Sequence, residues 1–563
     1  MTSRVGKAKV KSGCRTCKVR RIKCDEGWPV CTRCVSTGRV CEGYGIWGGG
    51  GNQLDRRSVR ANSSTSLTGF YAPTLLHAVS KEESRSLEWF TYRTAFKLPG
   101  AFRFDFWDSL LFQAISNETA VLQAVLALSS AHKAERFTVA ASDAEPVPDE
   151  QEQRTLRHYS KAISSLQPHL FARNHSSTRV ALITCLVFII MEFLRGHYRT
   201  GNLHLQIGLR LLNESQARSS AIDNYSLFLE SCSNSVDASI IQAFIRFDVQ
   251  AKFLGHGSEY LDLMGDDYTS EIPSPSFTFQ SNNQARQHLD RLLSQIFFLT
   301  NKCRGQELHL GRIYPSANFL DQQKRIKASL AAWHQAFKVS TAVLKDKKVN
   351  TNMIAYLILH VYYRIAKIMA DTCVWLLDES RYDMHTREFE SIMEQVKQIR
   401  TYADSPTTGG IGHFSDMTNS VSDLGALPAV YYVAVKCRVH RIRHDALEFL
   451  DGMTHKEGIW SAPLSTCVAR EVIKMEEGDF YNETHGDNDV TLYGDSNKEG
   501  PDPPPHQPTL LGLYRLHDVE IDLPEGYGGS SMVKYKRRLH DCTWEIIERE
   551  YVYDMPTNSW LPK

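Results

Sequence analysis

Six cysteines within one short N-terminal stretch constrain this chain more than any other feature. CRTCKVRRIKCDEGWPVCTRC carries Cys14, Cys17, Cys24, Cys31 and Cys34, and Cys41 completes the spacing C-x2-C-x6-C-x6-C-x2-C-x6-C. Adding seventeen to the first three positions gives the last three, so the motif is a duplicated half. The N-terminus MTSRVGKAKVKSGC has no apolar stretch of the secretory kind, so the chain is expected to be soluble and intracellular, with reduced thiols. Paired C-x2-C thiols in that setting point to zinc rather than to disulfides. Two tetrahedral ions need eight ligand positions, and six cysteines fill them when two bridge both metals. A segment of roughly thirty residues with almost no apolar side chains buries too little to fold alone, so metal is expected to hold it.

Charge is distributed unevenly. The chain of 563 residues has a formal net charge of +1. Residues 1–41 hold eleven Lys and Arg against Asp25 and Glu26, a sum of +9, and the remaining 54 basic and 62 acidic groups sum to −8. Six thiolates and two Zn2+ contribute −2, which still leaves the head at +7 and in need of a polyanion. The basic run with Lys7, Lys9 and Lys11 suits a nuclear import signal. Between Cys17 and Cys24 stand Lys18, Val19, Arg20, Arg21, Ile22 and Lys23, whereas VSTGRV between Cys34 and Cys41 has Arg39 as its only charge. If each half is a short helix, only the first offers a positive face to a major groove. A guanidinium donates two hydrogen bonds to O6 and N7 of guanine, so Arg20 and Arg21 are the base-reading candidates. Arg15, Lys18, Lys23 and Arg33 are assigned to phosphates.

The pattern C-x2-C-K-V-R-R-I-K-C-D-E-x2-P-x-C-x2-C-x6-C resembles the fungal Zn2Cys6 binuclear cluster of transcription regulators. That resemblance implies two Zn2+ ions held by all six cysteines, with Cys14 and Cys31 bridging. It implies double-stranded DNA as partner and a G-rich, CGG-like triplet facing the first half, although that family more often has Lys where Arg21 stands. The expected role is a nuclear, sequence-specific regulator of RNA polymerase II genes, not an enzyme.

After the head, EGYGIWGGGGNQLDRRSVRANSSTSLTG reads as a flexible linker. Many members of that family have a coiled coil here, but this linker has no a/d repeat, so monomeric binding and homodimerisation through the body stay open. From Lys81 the pattern turns helical. Val121, Val125 and Leu128 fall on one face, as do Leu156, Tyr159, Ile163 and Leu166. The run VALITCLVFIIM is twelve residues long, too short to span a bilayer, and is expected to be a core helix. Residues 350–377 read as another buried helix, and MVKYKRRL with CTWEIIEREYVY as a terminal hairpin. Seven further cysteines, Cys185, Cys232, Cys303, Cys373, Cys437, Cys467 and Cys542, are scattered and read as core residues.

The order of LEWFTYRTAFKLPGAF, AVLQAVLALSSAH, RHYSKAISSL and LITCLVFIIMEFLRGHYRTGNLHLQIGLRLL is similar to the fungal-specific transcription factor domain that commonly follows such a zinc knot. The expected fold is therefore a small Zn2Cys6 domain, a flexible linker and a large all-α domain, with a short β-hairpin near the C-terminus. The divisions are a basic disordered tail (1–11), the zinc domain (12–43), the Gly/Ser-rich linker (44–80), the all-α regulatory domain (81–470), an acidic, Pro-rich loop (471–508) and a C-terminal segment packed on the helical domain (509–563).

Two other constellations stand out. Cys437, His440 and His444 share a helical face, but Arg438, Arg441 and Arg443 among them favour a wet basic surface over a metal site. Between Glu476 and Asp502 nine acidic residues meet only Lys498, which suits a solvated loop better than a segment recruiting transcription co-regulators. No H-E-x-x-H, P-loop or G-x-S-x-G appears, which lowers the case for an enzyme. The alternative function is an effector-sensing or enzymatic helical body for which the knot is only a targeting module. No membrane partner is expected.

Overall fold

The computed structural model describes residues 17, 20, 22–25, 31–37, 80–138, 150–172, 174–219, 236–255, 277–310, 314–345, 350–403, 420–453, 455–478, 480–481, 510–526, 529–539, 543–554 and 559–563. Cys14, Arg15, Lys18, Arg21, Cys41, linker residues 44–79 and most of the acidic segment lie outside the described residues. The chain divides into two compact units, residues 1–248 with 258–268, and residues 249–257 with 269–563.

Among the described residues, the first unit includes the short helix α1 (Thr32–Val35) of the head and the longer helices α2 (Lys81–Trp89), α3 (Thr119–Thr138), α4 (Glu150–Ala172), α5 (His175–Leu194), α6 (Tyr198–Ser219) and α7 (Val236–Phe253), whose last residues count with the second unit. Helix α2 starts where the sequence pattern turns helical because Ser80 and Glu83 form a reciprocal cap. The Glu83 N–H donates to Ser80 Oγ at 3.1 Å and the Ser80 N–H to Glu83 Oε2 at 2.9 Å. On α3, Val121, Val125 and Leu128 are fully buried, as their spacing predicts.

Helix α5 corrects the length argument. It runs for 20 residues, not twelve, and is long and apolar enough to cross a membrane, as is the segment Asn352–Thr372. Both are instead largely covered by protein, 94% and 61% of their apolar windows being buried. Two glycines of α6 permit close approach. A Cβ on Gly208 would sit 2.2 Å from Phe244 Cε1 and 3.2 Å from Cys185 Sγ, and one on Gly201 only 2.5 Å from Phe193 Cε1.

The expected apolar face of α4 is also corrected. Leu156 and Ile163 are exposed, and the buried positions are Thr155 and Ala162, flanked by half-buried His158, Tyr159 and Leu166. The register is set by polar partners: His158 Nδ1 pairs with Gln123 Oε1 at 2.8 Å, and the Tyr159 hydroxyl with His204 Nε2 at 2.9 Å. Tyr159 also meets the Phe188 ring edge-on, with centroids 4.6 Å apart.

The second unit holds α8 (Asn282–Leu310), α9 (Ala317–Val339), α10 (Asn350–Thr372), α11 (Thr386–Ala403), α12 (Leu427–Lys436), α13 (His440–Asp451) and α14 (Ala462–Glu477). Helix α10 ends at Thr372, five residues before the expected Leu377. Trp333 of α9 stacks on Phe337 and on Tyr363 of α10, at centroid distances of 4.8 and 5.6 Å. A two-strand turn, β1 (Lys456–Glu457) with β2 (Trp460–Ser461), bends at Gly458, whose φ is +58° and where an added Cβ would sit 1.8 Å from Gln250 Oε1. It aims the Glu457 carboxylate at the start of α12, where the N–H groups of Gly425, Ala426 and Leu427 donate to it at 2.8, 3.0 and 3.1 Å.

The expected hairpin forms and is part of a larger sheet. Strands β3 (Leu516–Asp522), β4 (Ser530–Arg538), β5 (Trp544–Asp554) and β6 (Ser559–Pro562) lie in the order β3-β4-β5-β6, antiparallel throughout. Ser531, Val533 and Tyr535 alternate inward on β4, and the Tyr535 and Tyr551 hydroxyls pair at 3.0 Å.

Sheet and helices meet at buried charge. Arg438 Nη2 lies 2.9 Å from both Glu476 Oε1 and Glu379 Oε2. Arg443 Nη2 lies 2.7 Å from Glu476 Oε2, and the Leu516 N–H donates to Glu476 Oε1 at 2.8 Å. The acidic segment is thus corrected at its start. Helix α14 runs past residue 470 to Glu477, and Glu476 and Glu477 are buried rather than part of a solvated loop. Burial opposes ionisation of Glu476, but the charges of Arg438 and Arg443 and the Leu516 N–H outweigh it and hold the carboxyl below its ordinary range.

Two predictions follow from this packing. Gly208→Ala overpacks the α5–α6–α7 contact and lowers stability by about 1–3 kcal/mol in denaturant unfolding. Glu476→Gln strands two buried guanidinium groups and costs about 3–5 kcal/mol at neutral pH. Because the folded pKa is depressed, Glu476 stabilises above the unfolded carboxylate value of about 4.3, and that contribution fades as pH falls through the folded one. The gap between wild type and variant therefore narrows on acidification, readable in melting temperatures across pH.

Candidate metal centre and nucleic-acid interface

In the head, thiols of the two halves come together. Cys17 Sγ lies 3.6 Å from Cys31 Sγ and 3.9 Å from Cys34 Sγ. The sulfurs of Cys17, Cys24 and Cys31 all lie within 4.8 Å of one another, and all four cysteines are buried. Sulfurs sharing one tetrahedral zinc, at Zn–S of about 2.3 Å, sit about 3.8 Å apart, so this donor set fits the ion. Cys31 is also the N-cap of α1, its sulfur accepting from the Cys34 N–H at 3.3 Å.

A carboxylate that sequence reasoning counted only as charge proves central here. Asp25 accepts from the Thr32 N–H at 2.9 Å and the Arg33 N–H at 3.1 Å, and from the Thr32 hydroxyl. The slight desolvation works against its charge, but the backbone N–H groups of Arg33 and Thr32 outweigh it and keep the carboxyl below its usual range. The residue after the third cysteine thus satisfies the start of the second half's helix. Local capping rules do not find it, because donor and acceptor are seven positions apart and the cap position proper is occupied by Cys31.

Of the basic candidates, Lys23 and Arg33 are exposed, as phosphate contacts require. Arg20 is half-buried and donates from Nη1 to Thr37 Oγ1 at 3.0 Å, and Thr37 Oγ1 donates in turn to Arg33 O at 2.9 Å. Arg20 therefore ties one half of the head to the other. Arg15, Lys18 and Arg21, with Cys14 and Cys41, fall outside the described residues. Among the scattered cysteines, Cys185, Cys303, Cys373 and Cys437 are buried as expected, Cys467 is only half-buried, and Cys232 and Cys542 lie outside the described residues; burial pushes the Cys437 thiol up to about 11.

Comparison with known proteins decides the family. Residues 12–46 match the fungal Zn(2)-Cys(6) binuclear cluster domain, and residues 92–397, more than half of the chain, match the fungal specific transcription factor domain. The chain belongs to the fungal Zn2Cys6 transcription regulators. Membership carries zinc binding and DNA binding with it. The chain is 21% identical to the aspercryptin biosynthesis cluster-specific transcription regulator atnN of Emericella nidulans, across 83% of this chain and 87% of that protein. It is 26% identical to the transcription regulator lscL of Purpureocillium lilacinum over 36% of this chain and 48% of that one. The transcriptional regulatory protein moc3 of Schizosaccharomyces pombe is 54% identical, but over only 8% of either chain. No solved structure matches.

If Asp25 supports the second half, Asp25→Ala weakens the head by about 0.5–2 kcal/mol. The expected readout is release of zinc at a lower chelator concentration than wild type, with the ion count at saturation unchanged.

Proposed function

We propose that this regulator acts in the nucleus on RNA polymerase II genes, reading a G-rich, CGG-like triplet in the major groove through the first half of its zinc domain. The observation that supports the reading is the convergence of Cys17 and Cys24, which bracket the basic run in the sequence, with Cys31 of the other half. In this reading residues 12–43 form the DNA-binding domain, with Cys14, Cys17, Cys24, Cys31, Cys34 and Cys41 as ligands. Two zinc ions, shared through Cys14 and Cys31, supply the cross-links that a segment without an apolar core lacks. Arg21 reads a base edge by bidentate donation. Arg20 holds the two halves in register and turns its remaining donors to the groove, while Arg15, Lys18, Lys23 and Arg33 grip phosphates. The helical domain regulates, and pairing of two copies, where it occurs, runs through that body because the linker has no heptad seam.

Removing zinc is expected to unfold residues 12–41, since ligation supplies about 10–16 kcal/mol in finger peptides of this kind. A head that keeps its dispersed amide spectrum in excess chelator excludes the assignment. Arg21→Ala is expected to relax specificity by about 1–3 kcal/mol at one base pair in a binding selection. Equal weakening on every sequence makes Arg21 a phosphate contact instead.

A second reading, an effector-sensing body, is favoured by one feature of the second unit. A cavity of about 210 Å³ is lined by Phe253, Trp375, Tyr431, Tyr432 and Trp460, with Lys436 at its wall. Its aromatic lining suits a small, flat, largely apolar molecule. A metabolite screen by thermal shift separates the readings: a specific stabilisation lost in Tyr432→Ala supports sensing, and none across the screen leaves the targeting role without an effector.

A further inference from the structure

The second unit contains a group of metal-ligating side chains distinct from the cysteine-rich head. Helix α13 carries His440 in its first turn and His444 one turn later, with ring centroids 4.1 Å apart. Helix α14 ends at Glu477. His440 Nδ1 lies 2.8 Å from Glu477 Oε2, and His444 Nε2 lies 3.2 Å from the same oxygen. The three ligand atoms all lie within 4.8 Å of one another. Cys437, which shares the sequence neighbourhood, is not in the group, and the carboxylate from the next helix takes the third place.

Three features prepare these atoms for a cation. Arg443 Nη1 holds the other oxygen, Oε1, at 3.3 Å, so the carboxylate is oriented with Oε2 towards the imidazoles. The Tyr481 ring lies 4.6 Å from that of His440 and restrains it. The positive charge that the sequence sets against a metal is cancelled inside the fold: Lys436, Arg438 and Arg443 sum to +3 and pair with Glu379, Glu476 and Glu477, which sum to −3. Arg441 points elsewhere, to Glu390 at 2.8 Å. The surface is thus not the wet basic helix that the sequence suggests, because Arg438 and Arg443 are buried and paired.

We propose that His440 Nδ1, His444 Nε2 and Glu477 Oε2 bind one exchangeable zinc ion that clasps α13 to α14. Two imidazoles and a carboxylate suit Zn2+, at ligand distances of about 2.0–2.2 Å, and place donors about 3.4 Å apart on a tetrahedron. The observed separations of 2.8 and 3.2 Å reach that with a small opening. Both histidines bind as neutral rings with the proton on the outer nitrogen. Their side chains are 34% and 45% exposed, which admits the ion and leaves water as its fourth ligand. Three ligands and open access make a site that fills and empties with zinc supply, unlike a closed thiolate knot. Since α14 also carries Glu476, occupancy stiffens the same helix that anchors the terminal sheet.

The test uses the full chain, zinc-loaded and then titrated with Zn2+ against a competing colorimetric chelator of micromolar affinity. Wild type is expected to take up one exchangeable ion more than His444→Gln or His440→Gln, and excess Zn2+ is expected to raise the melting temperature of wild type but of neither variant. Circular dichroism checks that the variants fold, and His444 is exposed enough for substitution. Cys31→Ser, which removes a thiolate of the head, is expected to retain the additional uptake. Equal uptake by wild type and both histidine variants overturns the site. Loss of the additional ion in Cys31→Ser with retention in the histidine variants assigns it to the head and overturns the site equally.

Discussion

The terminal half of the second unit converges on one carboxylate. Glu476 is buried, and its two oxygens meet Arg438, Arg443 and the Leu516 N–H at 2.7–2.9 Å. Through those contacts α13, α14 and β3 are joined at one point. A buried ion is stabilising only when every partner is in place, so such a junction is intolerant: each guanidinium fixes the carboxylate, and the carboxylate fixes both. Arg443 also donates to Ala434 O, which draws the end of α12 into the same cluster. The neighbouring Glu477 extends the cluster to the surface, where two histidines wait on its outer oxygen.

The head obeys the opposite economy. Among its described residues, what the head buries is sulfur: Cys17, Cys24, Cys31 and Cys34. The polar contacts around the thiols prepare the second half rather than hold the head by themselves. Asp25 satisfies the first N–H groups of α1, and Arg20 reaches across to Thr37. Both bonds run between the duplicated halves, so the basic half and its weakly charged counterpart are oriented as one piece. A DNA reader gains from this, because a guanidinium discriminates bases only when the scaffold beneath it does not swivel.

How much was legible depended on whether the signal was local. The cysteine spacing, the start of α2 at the Ser80–Glu83 cap, the buried face of α3 and the β4–β5 hairpin all rest on residues a few positions apart, and each was readable. Helix α4 was misread in phase, because periodicity counted Leu156 and Ile163 as core when polar pairs of His158 and Tyr159 set the rotation. The apolar run of α5 understates the helix because charged Arg179 and Glu192 flank it; both are buried within the helix, with Arg179 paired to Asp237 and Glu192 to Arg195.

The sequence by itself determined the chemistry of the head and the helical character of the body. Six thiols at fixed spacing admit few metal geometries, and apolar period is a property of neighbouring residues. Only the tertiary structure decided which charges are solvated and which are partners. Glu476 and Glu477 read as the start of an acidic loop, and Arg438 and Arg443 as a wet surface, until folding brings together residues more than thirty positions apart. The physical reason is that an ionised group's behaviour is set by its desolvation and by the charges within a few ångströms of it, and neither is a function of sequence distance.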